Sequence, residues 1–395
     1  MPWSSVSAME QRQQFIREYF QGIYSVTFLA ARYGISRTTA YKWIDRFDAE
    51  GPAGLVERSR RPHGCSHRTP DWISSELVRF HKIQEMGAKK VRRMFSDAYP
   101  YLKPPALSTV AAILDRNGCV TKRKRRPRVG HPGRPVTDAL APNDIWAVDY
   151  KGEFPTRDGI YCYPLTITDQ HSRFILACTA LTSTSRGEAR PVFVRAFREF
   201  GLPNRIRSDN GPPFASMAIG RLSRLSVWWI KLGITPELIQ PGCPQQNGRH
   251  ERMHKTLKKH TAKPPAANRQ AQQRKFNKFI TVFNTIRPHE ALGQDKPVQH
   301  YEPSPRPYPE KLPEIEYPGE FIVRRVSNSG CIRWSSEPIH VSSVLAQEPI
   351  GLEEIDNGLW DVYFGPVRIG QLDEETSRIV DLNGKPYRTK KKIKL

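Results

Sequence analysis

The chain has 395 residues, with 62 lysines and arginines against 39 aspartates and glutamates, and its formal net charge is +23 at pH 7. This length exceeds one ordinary hydrophobic core and predicts three or four modules, while the positive charge predicts a polyanionic partner. Membrane surfaces are also anionic, so the charge alone does not identify that partner, but no apolar run approaches the length of a membrane-spanning helix.

The N-terminal residues and the cysteines indicate the compartment. The first residues lack the basic-then-apolar layout of a signal peptide, so the sequence predicts a cytoplasmic protein. The six cysteines are scattered without a C-x-x-C pair, which predicts neither a disulfide framework nor a zinc ribbon. His63, Cys65 and His67 cluster without a second pair of ligands, and we interpret them as loop residues.

Residues 10–50 have the pattern of a small helical domain. Helices are predicted over 10–21 and 26–33 and, after a turn at Gly34, over 36–47, with Ser36 as the cap of the last helix. This order favours a DNA-binding helix-turn-helix, although a generic helical hairpin would share it. The candidate DNA contacts at the start of the last helix are Arg37, Thr38, Thr39 and Lys42.

A second helical unit is predicted over 71–86, 88–95 and 107–117, with Ser108 as the cap of its last helix. A second helix-turn-helix would let paired modules contact two parts of one DNA end, and a helical spacer is the alternative. The segment 121–135 has Lys and Arg interleaved with Pro and Gly, which predicts an exposed linker along a DNA groove or backbone. Its candidate DNA contacts are Lys122, Arg123, Lys124, Arg125, Arg126 and Arg128.

From residue 143 the pattern changes to short apolar strands. The predicted strands are 145–150, 159–168, 173–181, 205–207 and 235–240, and the predicted helices are 185–200, 215–232 and 263–287. Three strands in a meander followed by alternating helices and strands predict an α/β domain on a mixed sheet.

Three acids in this region have unusual surroundings. Asp149 lies at the centre of a predicted strand, Asp209 precedes an Asn-Gly turn, and Glu251 is the only carboxylate between Glu237 and Glu290. Turn capping would explain Asp209 alone, and an ion pair with Lys255 would explain Glu251 alone. The basic residues around Glu251, which predict contact with a phosphate backbone, are Arg249, Arg252, Lys255, Lys258 and Lys259.

The sequences around the three acids resemble the catalytic blocks of DDE transposases and retroviral integrases. The blocks are Trp146-Ala-Val-Asp149, Ser208-Asp-Asn-Gly211 and Pro244-Gln-Gln-Asn-Gly-Arg-His-Glu251. Residues 283–293 are similar to a box that follows the catalytic glutamate in transposases of bacterial insertion sequences with an integrase core, with Phe283 in place of the commoner tyrosine. The interval from Asp209 to Glu251 exceeds the family's usual spacing, and the extra length is expected in 217–232.

The resemblance implies a ribonuclease-H-like core whose Asp149, Asp209 and Glu251 are the catalytic acids and hold two Mg²⁺ ions, with Mn²⁺ as a substitute and no nucleotide cofactor. It implies a transposase that binds the ends of its own element, cleaves them by hydrolysis and joins the 3′-hydroxyls to target DNA by transesterification. The expected partners are double-stranded DNA and further copies of the chain, within a bacterial nucleoid. A transposase-derived DNA-binding regulator without catalysis is the alternative, and a nuclease for RNA–DNA hybrids is a weaker one.

The remaining acids and the C-terminal part are interpreted structurally. Asp169 is expected to be a turn residue, and Glu153 and Asp158 hairpin acids, outside the site. His289 is expected to be a structural cap rather than a DNA contact. Short alternating segments after residue 319 predict a small β-barrel, similar to the C-terminal barrels of integrases.

The predicted boundaries are 1–50 for the first helix-turn-helix domain, 51–70 for a basic linker, 71–120 for the second helical domain, 121–139 for a basic Pro/Gly linker, 140–295 for the catalytic core, 296–318 for a Pro-rich connector, 319–384 for the barrel and 385–395 for a basic tail.

Overall fold

The computed structural model describes residues 7–59, 68–120, 137–240 and 243–381. The chain divides into two compact units, Met1–Thr69 and Pro70–Leu395. Several predicted features lie outside the described residues: His63, Cys65, His67, the linker contacts Lys122, Arg123, Lys124, Arg125, Arg126 and Arg128, and the tail 385–395. Within the described ranges, no helix is both long and apolar enough to cross a membrane.

The first unit has the three helices that the sequence predicts: α1 (Ala8–Phe20), α2 (Val26–Arg32) and α3 (Arg37–Glu50). The turn between α2 and α3 uses the positive φ of Gly34, 64°, which glycine adopts without strain. The predicted cap is confirmed, because the hydroxyl of Ser36 accepts a hydrogen bond from the Thr39 N–H at 3.2 Å. Leu29, Ala40 and Ile44 are buried in the core of this unit.

The second unit begins with a trihelical bundle of α4 (Asp71–Gln84), α5 (Ala88–Ala98) and α6 (Leu107–Arg116). Leu77, Phe95 and Val110 contribute one side chain from each helix to its core. The predicted cap at Ser108 is wrong, because α6 already starts at Leu107. Ala106 occupies the cap position without a side-chain hydrogen bond. A serine inside the first turn lies beyond the position from which a side chain caps.

The central sheet contains β1 (Ile145–Tyr150), β2 (Phe154–Pro155), β3 (Tyr161–Asp169), β4 (Ile175–Leu181), β5 (Arg205–Ser208) and β6 (Thr235–Leu238). Strands β2 and β4 both pair with β3, and the order then continues through β1 and β5 to β6. The β1–β3 and β3–β4 pairs are antiparallel, whereas β1–β5 and β5–β6 are parallel. The prediction of a mixed sheet is therefore confirmed.

Helices cover both faces of this sheet: α7 (Arg186–Phe200), α8 (Arg224–Lys231), α9 (Gly248–Thr261) and α10 (Arg269–Thr285). On one face Trp146 and Leu165 pack with residues of α7 and α8, and on the other Cys162 packs with Leu257 of α9 and Phe276 of α10. Because successive side chains of a strand point to opposite faces, β3 contributes to both cores. The result is a three-layer α/β/α domain.

Two predicted helices are shorter than the sequence indicates. The helix predicted over 215–232 is α8 alone, because residues before Ser223 form a turn in which Gly220 has a φ of 59°. The helix predicted over 263–287 starts only at Arg269, and Asn268 caps it. The chain between α9 and α10 contains Pro264 and Pro265, which lack the backbone donor that a continuous helix requires.

The C-terminal part contains two antiparallel sheets over one core. The first joins β7 (Ile322–Arg325), β10 (Pro349–Asp356), β11 (Leu359–Phe364), β12 (Val367–Asp373) and β13 (Arg378–Val380), and the second pairs β8 (Cys331–Trp334) with β9 (Glu337–His340). Short strands are confirmed, while closure into a barrel stays a prediction. Ile219 and Leu222 belong to the same core, so the long interval between Asp209 and Glu251 attaches these sheets to the central domain.

Candidate active site

Asp149 lies near the end of β1, where it pairs with Thr166 of β3. The pKa of its carboxyl is raised to about 7, first by burial and then by the charges of Asp209 and Glu251, against the opposing effect of Lys151. A carboxylate feels other carboxylates in this way only when they lie nearby. The structure therefore brings the three acids of the sequence analysis into one electrostatic neighbourhood.

Asp209 directly follows β5, the parallel neighbour of β1. Its Oδ1 accepts a hydrogen bond from the Gly211 N–H at 3.2 Å, so the turn chemistry expected of an Asp-Asn-Gly sequence is present. The Asn210 side chain donates to the Ile239 carbonyl at 2.8 Å and ties this turn to the chain after β6. Burial raises the pKa of Asp209, as expected for a carboxyl at the end of a covered strand.

Glu251 lies in the first turn of α9 and is exposed. The ion pair with Lys255 that the spacing allows does not form among the described residues, which removes the simplest structural explanation for this acid. The backbone of α9 fixes the position of Glu251, and because its carboxylate is exposed, the carboxylate oxygens stay available to a ligand. Its position agrees with that of a ligand that closes a site from the helix side.

Two histidines that the sequence analysis did not single out attach α9 to the sheet. His250 is buried, with Nδ1 2.8 Å from the Thr168 hydroxyl and Nε2 2.7 Å from the Thr166 hydroxyl. His254 places its Nε2 2.6 Å from the same Thr166 hydroxyl. Burial lowers the pKa of His250 to about 3 and that of His254 well below its ordinary value, so both rings are neutral at pH 7.

The hydrogen bonds fix the tautomers of both rings. The Thr166 hydroxyl donates to the Asp149 carbonyl at 3.0 Å, so it accepts from Nε2–H of His250 and of His254. The other nitrogen of His254, Nδ1, then carries a lone pair and lies 3.6 Å from Asp149 Oδ2. A lone pair facing a carboxylate is unfavourable unless a proton or a cation lies between them.

A metal ion fits this arrangement. Potential ligand atoms of Asp149, His250 and His254 lie within 4.8 Å of one another. Both nitrogens of His250 are already occupied by threonine hydroxyls, which leaves the Asp149 carboxylate and His254 Nδ1 as the free donors of this group. Asp209 and Glu251 are not part of this group, and their carboxylates offer the oxygen atoms that Mg²⁺ and Mn²⁺ prefer.

Asp169, Asp158 and His289 were expected to have structural roles outside the site. Asp169 ends β3 and is buried, accepting hydrogen bonds from the Asn143 N–H and from both the N–H and hydroxyl of Ser172, so it holds the turn between β3 and β4 as expected. Asp158 accepts from the Thr156 hydroxyl and the Ile160 N–H in the β2–β3 connection, as expected of a hairpin acid. His289 exchanges backbone hydrogen bonds with the 292–295 turn and packs its ring against Phe283, which favours the structural interpretation.

The candidate DNA contacts that the structure describes are on the surface. Arg37, Thr38 and Lys42 are exposed on α3, while Thr39 is half-buried beside Ser36. The basic residues of α9 are all exposed: Arg249, Arg252, Lys255, Lys258 and Lys259. Lys259 pairs with Glu85, the residue after α4, and Arg249 lies 3.8 Å from Asp138, so these two are partly neutralised.

Comparison with known families decides the nature of the two folded parts. Residues 139–244 and 232–297 match two family models of an integrase core domain, and residues 11–63 match a helix-turn-helix domain. The chain carries an integrase core domain that follows a helix-turn-helix domain in the sequence. The predicted resemblance to retroviral integrases is thus confirmed for the core, while an origin in a bacterial insertion sequence stays a prediction.

Curated relatives of the integrase core include viral polyproteins. The chain is 34% identical over 183 residues to the Gag-Pol polyprotein of baboon endogenous virus (strain M7), covering 46% of this chain and 10% of the polyprotein. It is 36% identical over 124 residues to the Gag-Pol polyprotein of avian reticuloendotheliosis virus, covering 31% of this chain and 10% of that one. The chain thus spans about a tenth of the length of these relatives.

Among solved structures, the catalytic core domain of HTLV-2 integrase in complex with magnesium (trimeric form) is similar at 18% sequence identity and a TM-score of 0.34. The similarity covers 42% of this chain and 100% of that one.

Proposed function

We propose that the protein is a DNA transposase, which binds the ends of its own mobile element, cleaves them and joins the new 3′-hydroxyls to target DNA. The observation that carries this proposal is the electrostatic coupling of Asp149 with Asp209 and Glu251 inside an integrase core. Three neighbouring acids without an ion pair to a lysine or arginine among the described residues disfavour a merely structural role. A regulator that only bound DNA would have no need to maintain them.

In the proposed site Asp149, Asp209 and Glu251 hold two Mg²⁺ ions, or Mn²⁺ in their place. Bound divalent ions would supply the activation of a water or 3′-hydroxyl and the stabilisation of the leaving oxygen at a phosphodiester. Asp149 and Asp209 are fixed by neighbouring parallel strands, so their separation is set by the sheet. His254 positions Asp149 from α9 through the Thr166 hydroxyl, which donates to the Asp149 carbonyl, and its neutral ring would add a donor without adding positive charge. Because transesterification exchanges one phosphodiester for another, no nucleotide cofactor is needed.

The DNA-binding parts support the same proposal. The exposed face of α3 would contact the element end through Arg37, Thr38, Thr39 and Lys42. The exposed basic side chains of α9 lie beside Glu251 in the sequence. They would follow the DNA backbone away from the cleaved bond. Two ends must be held together for joining, so the protein would act as a homo-oligomer on DNA. The integrase core and the two helical parts would then have distinct roles in one assembly.

The proposal is tested with purified protein, Mg²⁺ and end-labelled DNA from the borders of the element that encodes it, beside an Asp149→Ala variant. Cleavage at the 3′ end and joined products that are absent with the variant support a transposase. Specific binding without products in Mg²⁺ and in Mn²⁺ contradicts it and favours the regulator.

A further inference from the structure

A pocket of about 300 Å³ lies where the trihelical bundle meets the integrase core. Its walls come from α5, the turn between β3 and β4, the first two turns of α9 and the segment after α10. We call it the basic pocket, because its charged lining is dominated by Lys90, Arg173, Arg249, Arg252 and Arg287. Its size is at the lower end of the range for ligand sites in proteins.

The acids near the basic pocket offset its charge only in part. Asp169 is occupied by the hydrogen bonds from Asn143 and Ser172, and Glu290 forms an ion pair with Lys89 outside the pocket at 2.6 Å. Within the described part of the chain, Lys90, Arg173 and Arg252 have no carboxylate within ion-pair distance, although the charges of Glu290 and Asp169 act on Lys90 and Arg173. Converging cations that outnumber the nearby carboxylates are unfavourable unless an anion binds among them.

Burial and mutual repulsion act on these side chains. Burial lowers the pKa of Lys90 to about 8, and the charges of Arg287 and Arg252 contribute to that decrease. Burial also lowers the pKa of Arg173 to about 10, with a further contribution from Arg249. The neighbouring His289 has a pKa lowered to about 3 by burial and by the charge of Lys90. Lys90 and Arg173 thus hold their positive charges at a cost that an anion would offset.

The basic pocket is separate from the site of the three acids. Arg249, Arg252 and Thr256 have the i, i+3, i+7 spacing of one helix face, and all line the pocket. At 3.6 residues per turn Glu251 projects from roughly the opposite side of α9. A ligand in the pocket therefore does not occupy the place of a phosphodiester held at the acids.

We infer that the basic pocket binds a phosphate of the DNA backbone away from the cleaved bond, which rests on the proposed function of the protein. Guanidinium groups match phosphate with paired hydrogen bonds, and a lysine adds a further donor. Because Lys90 belongs to the trihelical bundle and Arg252 to α9, one phosphate would connect the two parts. The ion pairs of Lys89 with Glu290 and of Arg93 with Asp295 already hold these parts together, so the pocket is formed before the phosphate arrives.

The test uses the full-length protein without added metal and compares Lys90→Gln and Arg252→Gln with Lys82→Gln. The control removes the same charge from an exposed position of α4, outside the pocket. Affinity for a fluorescent DNA duplex is measured by anisotropy over a series of salt concentrations. Each pocket variant is expected to weaken binding about tenfold and to reduce the slope of log K against log salt by about 0.9, while the control stays within about twofold.

A second measurement distinguishes a backbone phosphate from a free one. Inorganic phosphate is expected to raise the melting temperature of the wild type and of Lys82→Gln, but not of the pocket variants. If phosphate stabilises the wild type while the DNA salt slopes are unchanged, the ligand is a free anion and the backbone assignment is overturned. If neither measurement separates the pocket variants from the control, the pocket binds no phosphate.

Two further controls complete the design. If circular dichroism shows that Lys90→Gln does not fold, the Arg252→Gln variant decides the outcome, because Arg252 is exposed. Cleavage of the element end by the wild type is assayed in parallel with Mg²⁺. A wild type that binds phosphate through the pocket but never cleaves DNA contradicts the transposase proposal and leaves the pocket as an anion site.

Discussion

The Nδ1 atom of His254 lies 3.6 Å from Oδ2 of Asp149, while its Nε2 lies 2.6 Å from the Thr166 hydroxyl. One imidazole thus connects the helix that carries Glu251 to the strand that carries Asp149. The ring is neutral and its tautomer is fixed by Thr166, so its free lone pair faces the proposed metal position. We interpret His254 as a positioning residue for Asp149.

Replacement of this ring is expected to weaken metal use. In His254→Ala the Asp149 carboxylate loses its neighbour, and the Mg²⁺ concentration for half-maximal strand joining should rise about tenfold or more, as for residues that orient metal ligands elsewhere. DNA binding without metal should stay unchanged. His260→Ala is the matched control, because His260 lies on the same helix and stacks on Phe279 instead. Equal Mg²⁺ requirements in the two variants would contradict the positioning role.

The Thr166 hydroxyl is expected to contribute to the stability of the core. Thr166→Val leaves the Nε2–H groups of His250 and His254 without an acceptor in a buried place, so the free energy of unfolding should fall by about 1–3 kcal/mol. Thr179→Val serves as the control, since Thr179 accepts only one bond, from Arg195 at 3.2 Å. Urea denaturation followed by circular dichroism measures both. An unchanged midpoint for Thr166→Val would show that the network adds no stability.

Much of the central domain could be predicted from local sequence patterns. Asp149 was identified because an acid inside an apolar strand is unusual, and Ser36 because a cap precedes its helix directly. Contacts between distant segments could not be predicted in this way. The pairing of His250 and His254 with threonines of β3 depends on how α9 lies across the sheet. The only local signals in the sequence were two histidines four positions apart and two threonines at alternate positions of a strand.

The errors have similar causes. A helix was predicted over 215–232 because its apolar residues suit a helix, but Ile219 packs in the core of the C-terminal sheets instead. The basic pocket was not predicted, since its residues come from four separate segments. Arg249 and Arg252 were expected to contact DNA from a simple exposed face, and the structure adds Lys90 and Arg173 as their neighbours.

The face of α3 is expected to determine binding of the element end. Arg37→Ala combined with Lys42→Ala removes two exposed charges and should weaken end binding about tenfold or more, with a smaller salt slope. Arg17→Ala combined with Arg32→Ala removes two charges from α1 and α2 and is the control. Anisotropy titrations with end DNA compare the two double variants. If both weaken binding equally, α3 has no special role.

The buried ring of His289 should make the stability of the protein depend on pH. Because its folded pKa of about 3 lies below the ordinary value, the unfolded chain binds a proton first as the pH falls. Its contribution is therefore present above pH 6.5 and is lost as the pH falls from there towards 3. His289→Phe should lose less stability between pH 7.5 and pH 5 than the wild type, measured by urea denaturation. A loss of equal size in both proteins would contradict the buried neutral state.

Asp209 is proposed to serve the metal site and not DNA binding. The most direct measurement compares Asp209→Asn with the wild type in two assays on one DNA end, anisotropy for binding and gel analysis for strand joining in Mg²⁺. The variant keeps the size of the side chain and the bond from Gly211, so we predict unchanged end binding together with complete loss of joining. Joining that persists in the variant, or equal loss of binding and joining, would contradict the claim.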